Sequence, residues 1–437
     1  MTAALTALAL VVGGLVALGG PTHWLLGAYF ASQLRQDTWT MSGVFIDGID
    51  LTLAAVAVSV MLRGLPQESR GTRLPLRWLW VGLAVLLVLS YAMSPSGSVH
   101  MTDPARAVYQ SYRYALRGVI MYPLCYLFVT NGRKFDDVLT MVIVVACVCS
   151  VMSWVQGYGG QWGTGPFSTK NGLAAALAAP VVLITMDLLY GKRPGWSLLG
   201  LLVLGRGALF ASSRGAFAGM LVGATVGWWC MSRTGLRSRA VAVAAAGILA
   251  VGVLLAAKPD LLERPTVARF FTTFDAEQDT LVWRTGERWP HFFQRALAKP
   301  WVGWGDAVDV SLGPKANTPH NGYLSIAVTN GFPVLICYLL FAGIALVGAW
   351  RLGARGRDPD ERLRAAKICG ALACIWTHNV IDAVVVLPFV GGQLWLYTAY
   401  VARMAKRGRV AERTAAPMPH DTVPRTAVSP VASANRP

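Results

Sequence analysis

Charge is scarce in this 437-residue sequence: Asp, Glu, Lys and Arg make up 14% of it, against 54% hydrophobic residues. Soluble domains carry roughly 25% charged residues. The composition therefore excludes an ordinary soluble fold, and a mean hydropathy of +0.48 points to a polytopic membrane protein. Cysteine is sparse as well. The seven (Cys125, Cys147, Cys149, Cys230, Cys337, Cys369, Cys374) all fall inside or at the ends of apolar runs. That excludes a disulfide framework and leaves them as small core hydrophobes. The signatures of soluble catalysts are missing too. There is no Walker-type loop, no HExxH, no Gly-x-Ser-x-Gly around Ser212 and Ser213, and no Asp-x-Asp in the outer loops defined below. A soluble-type hydrolase or ATPase, or an enzyme holding a nucleotide sugar through a metal, is excluded on these grounds. No internal repeat is visible.

What is present is a series of apolar runs. A spanning helix needs about 20 apolar residues, and candidates lie near 3–19, 43–62, 77–94, 113–130, 137–156, 170–190, 195–212, 214–231, 239–257, 323–350, 366–388 and 390–403. The expected fold is an all-α integral membrane protein of about 12 transmembrane helices with one large periplasmic loop. Residues 1–19 lack a charged n-region and a cleavage site, so they read as a first span, not a signal peptide. Short loops at 63–77, 131–137, 191–195, 232–239 and 351–367, with the tail from Arg403, hold 24 of the 39 basic residues. Neighbouring basic loops are always two runs apart, as the positive-inside rule requires, so both termini are expected in the cytoplasm. The net charge of +17 is then mostly topology, with no nucleic-acid partner implied. The outer loops are 20–42, 95–112, 157–169 and 258–322. The chain divides into a bundle of about nine spans at 1–257, the periplasmic loop at 258–322, C-terminal helices at 323–403 and a disordered cytoplasmic tail at 404–437.

Chemistry-bearing residues gather at the outer ends of these runs. Arg214 opens the eighth run after two serines, and a charge there is costly unless an anion uses it or it snorkels to the interface. Arg113 and Arg117 lie four apart near the outer end of the fourth run, Arg206 falls within the seventh, and Arg284 and Arg288 lie four apart in the large loop. Guanidinium groups at one membrane face suit a phosphate or pyrophosphate, since each fork donates two parallel hydrogen bonds. His320 stands in TPHNGYL at the exit of the large loop. It reads either as a base or donor, since histidine titrates near pH ~6.5, or as an interfacial residue capping the next helix alongside Asn321. His378, Asn379 and Asp382 fall within the eleventh run. The one-turn spacing of His378 and Asp382 lets both face the interior, as functional groups or with Asp382 neutralising a buried arginine.

SSRGAF at the start of the eighth run resembles the Ser-Arg-Gly signature of the bacterial O-antigen ligase and polymerase superfamily. The series Arg284, Trp289, Pro300, Gly303 and Gly305 resembles its arginine, tryptophan and Pro-x-x-Gly-x-Gly element. His320, Asn321 and Leu324 match a His-Asn-x-x-Leu, and GPFSTKNGLAAAL (165–177) resembles a Gly-x-Phe…Asn element that adds Asn171. The resemblance covers about 165–390. One departure stands out: the interval from Arg284 to Trp289 is five residues where about four is expected. Arg284 and Arg288 thus compete for the role of loop arginine, with Arg284 favoured.

The resemblance implies a metal-independent glycosyltransferase of the bacterial inner membrane, using no cofactor and acting at the periplasmic face. Its donor would be a glycan on undecaprenyl pyrophosphate, and its acceptor lipid A-core or a second lipid-linked glycan. It would work among membrane lipids. Arg214, Arg284 and His320 would be catalytic, with Arg113, Arg117, Arg288, Asn171, Asn321, His378 and Asp382 binding substrate. O-antigen ligation is the first expectation, because a single dominant outer loop suits it. Polymerisation of O-antigen or exopolysaccharide repeats is the second, and transfer to a protein hydroxyl the third. A non-catalytic flippase is the competing class, and the missing repeat stands against it.

Overall fold

The computed structural model describes residues 21–32, 39–41, 44–93, 117–156, 163–167, 169–231, 241, 280–305, 319–356, 358–385 and 387–415. The runs expected at 3–19 and 239–257, most of the large loop before residue 280 and the tail beyond Ala415 lie outside the described residues.

Helices dominate. α1 (His23–Ala31), α2 (Gly48–Arg63), α3 (Arg77–Ala92) and α4 (Met121–Phe128) lead into α5 (Gly132–Gln156), α6 (Lys170–Leu189), α7 (Pro194–Ala211) and α8 (Arg214–Met231). The large loop supplies α9 (Trp289–Ala298). The chain continues through α10 (Gly322–Asn330), α11 (Phe332–Arg355), α12 (Pro359–Ile381) and α13 (Pro388–Ala415). A small antiparallel hairpin, Trp39–Met41 against Val44–Ile46, precedes α2. Among the described residues four helices are long and apolar enough to cross a membrane: α5, α6, α7 and 332–354 of α11. The helical membrane fold is as the composition predicts. The described residues do not reach twelve such helices.

The centre of the bundle is built on glycine. Gly215, Gly219, Gly223 and Gly227 recur every fourth residue along α8 and face α12. A Cβ at Gly223 would stand 2.5 Å from the Gly370 carbonyl oxygen, and one at Gly227 3.0 Å from that of Ala366. Gly219 and Gly215 abut Cys374 and His378 in the same way. This register is antiparallel, so α8 starts where α12 stops. Val182 and Met186 of α6 touch the ladder at Gly223 and Gly227, so α6 runs parallel to α8. Small residues permit such close approach in lipid, where no hydrophobic force drives helices together. At the other end of α12, Arg364 grips both Asp136 oxygens at 3.0 and 3.1 Å, Lys367 pairs with Asp187, and Lys192 with Asp360. Asp358 and Asp360 have Asp-x-Asp spacing. Asp358 nevertheless serves as a cap, its Oδ1 accepting from the Asp360 amide at 3.1 Å.

Several spans differ from expectation for identifiable reasons. The run 323–350 is two helices, broken at Gly331 with φ 85° and followed by Pro333 in the first turn of α11. The run 366–388 stops as helix at Ile381, and Asp382 is an extended C-cap. His378 and Asp382 therefore do not share a helix face. Asn379 makes the turn, its Oδ1 accepting from the amides of Val384 and Val385 at 3.2 and 3.1 Å. The described part of the run 113–130, from residue 117, is a turn at Arg117–Val119 followed by α4. Pro123 has no N–H for the Val119 carbonyl, and the Trp80 indole donates to it instead at 2.9 Å. The short last span is a 28-residue helix, so the expected irregular tail is helical as far as Ala415. Arg403, counted as a tail charge, is buried. It donates to the Tyr126 carbonyl at 2.9 Å and the Glu68 carbonyl at 2.6 Å.

Candidate functional site

His320 sits one residue before the cap of α10, at φ 47°. A left-handed conformation costs a residue with a Cβ roughly 1–2 kcal/mol, so its neighbours must hold it. The Trp289 indole donates to the Pro319 carbonyl at 3.1 Å on one side. On the other, the Asn321 side chain accepts from the Leu324 amide at 3.0 Å and caps α10. A Cβ on Gly322 would collide with the Asn379 amide group, so the start of α10 lies directly on α12. Asn321 is the helix cap, and His320 is not. Its Nδ1 faces Asp382 Oδ1 at 3.3 Å, with the two side chains 30% and 17% exposed. Both are thus part-buried yet reachable.

Asp382 also accepts from the Ala383 amide at 3.0 Å. A carboxylate beside Nδ1 favours the tautomer with the proton there and leaves Nε2 as the basic nitrogen. The partner of Asp382 is a histidine, an arrangement that neither sequence reading of Asp382 contained.

Arg284 reaches the same corner from the large loop, its Nη1 donating to the Ile381 carbonyl at 3.0 Å, next to Asp382. Arg284–Arg288 form a π-helical turn between a turn of α-helix at Thr280–Trp283 and α9, closed by the Trp289 amide on the Arg284 carbonyl. A π turn absorbs one extra residue within a helix. That accounts for the five-residue interval to Trp289, while Arg284 reaches the Ile381 carbonyl and Trp289 the Pro319 carbonyl. Arg288 is buried, its guanidinium 4.8 Å from the Trp283 ring centre. Burial and the neighbouring Arg284 charge both push its pKa down.

Arg214 is the first residue of α8, entered through Ser212 at φ 45°. Next to it, a Cβ on Gly215 would lie 3.0 Å from His378 Cδ2 and 3.1 Å from Ile381 Cβ. Arg214, Arg284, His320, His378 and Asp382 are thereby brought to one corner of the bundle. His378 is 1% exposed. Asn171 stands in the first turn of α6, at the same end by the helix register, without a described contact to this corner. Arg113 lies outside the described residues. Arg117 begins the turn 117–119, and its side chain is also outside them.

The Pro-x-x-Gly-x-Gly element has a mechanical explanation. The Trp304 amide donates to the Val328 carbonyl and the Phe332 amide to the Pro300 carbonyl, both at 2.8 Å. Gly303 has φ 69°, and there is no room for a Cβ between it and the Thr329 carbonyl. Gly331 abuts the Trp301 carbonyl likewise. The loop is strapped to the break between α10 and α11, and Ser90 of α3 donates to the Val302 carbonyl at 2.7 Å to complete the joint.

Among the described residues no set of three or more His, Cys, Asp or Glu is arranged to hold a metal ion. No curated protein matches the chain. Residues 198–339, which run from α7 through His320 into α11, match the family model described as O-antigen ligase. That match supports the O-antigen ligase and polymerase superfamily for this chain, the same superfamily its motifs resemble.

Proposed function

We propose that this protein transfers a glycan from undecaprenyl pyrophosphate to an acceptor at the periplasmic face of the bacterial inner membrane, and that the reaction is ligation of O-antigen onto lipid A-core. The observation that carries this reading is the His320–Asp382 pair at 3.3 Å, at one corner with Arg214 and Arg284. In the reaction, His320 Nε2 takes the proton of an acceptor hydroxyl as its oxygen bonds to the anomeric carbon of the donor. The bond from that carbon to the pyrophosphate oxygen breaks, and the pyrophosphate leaves with the electron pair. Asp382 steadies the imidazolium, and Arg214 and Arg284 offset the charge growing on the leaving group. Fixed donors of this kind typically contribute about 10²–10³ in rate each. No metal takes part. The alternating basic loops support twelve spans with both termini in the cytoplasm, which puts this corner on the periplasmic side.

The test is a deletion strain whose lipopolysaccharide is resolved on a gel. Loss of the ladder with intact core is the expected result. A core carrying a single repeat would assign polymerisation instead, and an unchanged profile would defeat both.

A further inference from the structure

At the end of the bundle opposite the His320 corner, a concave site carries charge of one sign. A cavity of about 350 Å³ is lined by Arg63, Arg70, Lys134 and His23, with Phe128 as an apolar wall. No Asp or Glu is among its described lining residues. Its place follows from Asp136 and Asp137 at the start of α5. Arg364, near the start of α12, holds Asp136, whereas His378 and Asp382 stand where α12 stops. His23 Nε2 lies 3.1 Å from Asp137 Oδ2. His23 falls in the stretch 20–42 expected on the outer side, and this contact sets it at the opposite end instead. The cations belong to a fixed loop. Arg63 is the last residue of α2, and Gly64, at φ 71°, closes that helix with its amide on the Val60 carbonyl at 2.7 Å. Arg70 folds back over this turn. Its Nε donates to the Leu65 carbonyl at 3.2 Å, and its Nη2 lies 3.6 Å from where a Gly64 Cβ would stand. Ser69, buried, donates to the Leu127 carbonyl and accepts from Arg403 Nη1 at 3.2 Å, which bolts the loop to α4 and α13. Lys134, in the first turn of α5, donates to the Thr130 hydroxyl at 2.8 Å and to Glu68 at 3.3 Å.

Charge selects an anion for this cavity. Glu68 and Asp137 stand behind the lining, each holding one of its groups, and the three permanent cations Arg63, Arg70 and Lys134 outnumber them. Arginine forks fit phosphate oxygens, and a lysine adds a point charge. The surroundings select what carries the phosphate. Trp24 follows His23 and Met61 and Leu62 precede Arg63, and all three are exposed. Exposed apolar and aromatic side chains at the end of a membrane run meet acyl chains and the interface. A soluble phosphate would leave them unused, whereas a phospholipid uses both features. On the topology proposed above, the basic loops 63–77 and 131–137 put this end at the cytoplasmic leaflet, whose surface is made negative by anionic lipids. The geometry points to a binding site for an anionic phospholipid, its headgroup phosphate held by Arg63, Arg70 and Lys134 and its tails beside Trp24 and Leu62. The headgroup then ties the start of α1, the loop after α2 and the start of α5 together, far from the His320 corner and independently of the transfer chemistry.

The test uses the full-length protein purified in detergent, with retained lipid counted by native mass spectrometry and stability followed by melting temperature. The probes are phosphatidylglycerol, phosphatidylethanolamine with the same tails, and sn-glycerol 3-phosphate as the headgroup without tails. Phosphatidylglycerol should bind more tightly than phosphatidylethanolamine and raise the melting temperature, because a ligand that binds only the folded state stabilises it. Arg70→Gln should weaken that binding by about fivefold, and Arg70→Gln with Lys134→Gln by about 25-fold, the usual worth of basic residues facing an anionic lipid surface. Arg133→Gln removes the same charge from an exposed neighbour that does not line the cavity, and should change nothing. Glu68→Gln takes the competing carboxylate off Lys134 and should tighten binding, an outcome that a merely destabilised loop would not give and that stands in for the double variant if it fails to fold. Equal binding of the two lipids, indifference to Arg70→Gln and Glu68→Gln, or an equal loss in Arg133→Gln would overturn the inference. So would displacement of phosphatidylglycerol by an equal concentration of glycerol 3-phosphate, which would make the cavity a site for a soluble phosphate ester.

Discussion

At the scale of single residues, the corner holds a histidine whose direction is set by its backbone and whose tautomer is set by a carboxylate. His320→Ala should lose transfer by about 10²–10⁴, the usual contribution of a general base, while insertion and donor binding persist. Asp382→Asn keeps the shape but removes the charge that steadies the imidazolium, so it should fall in the same range. Arg214→Lys should be nearly as damaging as Arg214→Ala, because an ammonium cannot reproduce a bidentate fork. All are read by transfer of a lipid-linked glycan in membranes normalised for protein. Near-wild-type transfer by both His320→Ala and Arg214→Lys would end the proposed site. Asn321 separates capping from chemistry. Asn321→Ala should cost about 0.5–2 kcal/mol of stability, with Asn321→Ser restoring most of it. If Asn321→Ser is as inactive as His320→Ala while fully stable, then Asn321 touches substrate.

At the scale of elements, the site depends on how closely α8 approaches α12. Gly223→Val places a branched side chain where a Cβ alone would be 2.5 Å from the Gly370 carbonyl. Overpacking of this kind typically costs about 1–3 kcal/mol, and here backbone faces backbone with no flexible side chain to yield. The variant should show a lower melting temperature in detergent and lost transfer, whereas Gly343→Ala, with open space around it, should show neither. Equal stability of the two would contradict the close approach. Much of this layer was legible in the sequence. The apolar runs at 137–156, 170–190, 195–212 and 214–231 became α5 to α8 nearly residue for residue, since hydropathy and length decide such helices. Breaks inside apolar runs were not legible. Gly331 and Asp382 end helices through local chemistry that periodicity does not register: a positive φ at one, and an Asn379 side chain gathering two amides at the other. The π turn at Arg284–Arg288 showed in the sequence only as an interval one residue too long.

At the scale of the whole molecule, the sequence carried the arginines and His320 to one face by counting charged loops, yet gave no pairing between them. Contacts such as His320 with Asp382 or Trp289 with Pro319 join segments whose separation no local pattern encodes. The topology itself can be tested with an impermeant thiol reagent. A cysteine at Asp306 should react from outside and one at Arg70 only after the membrane is opened, and the reverse would move the corner to the wrong compartment. The case against a metal rests on the same global arrangement. A leaving pyrophosphate needs positive charge, which either a divalent ion or fixed guanidinium groups can supply. Here the arginines stand at the corner with His320. The Asp-x-Asp of Asp358 and Asp360 is at the opposite end of α12, occupied with capping and with Lys192. Transfer by the purified protein should therefore persist in EDTA at a rate close to that in Mg²⁺. Activity abolished by the chelator and restored by Mg²⁺ or Mn²⁺ would mean that an ion does the work assigned to Arg214 and Arg284. In that case Arg214→Lys should become tolerable at high Mg²⁺, a rescue that the arginine mechanism forbids.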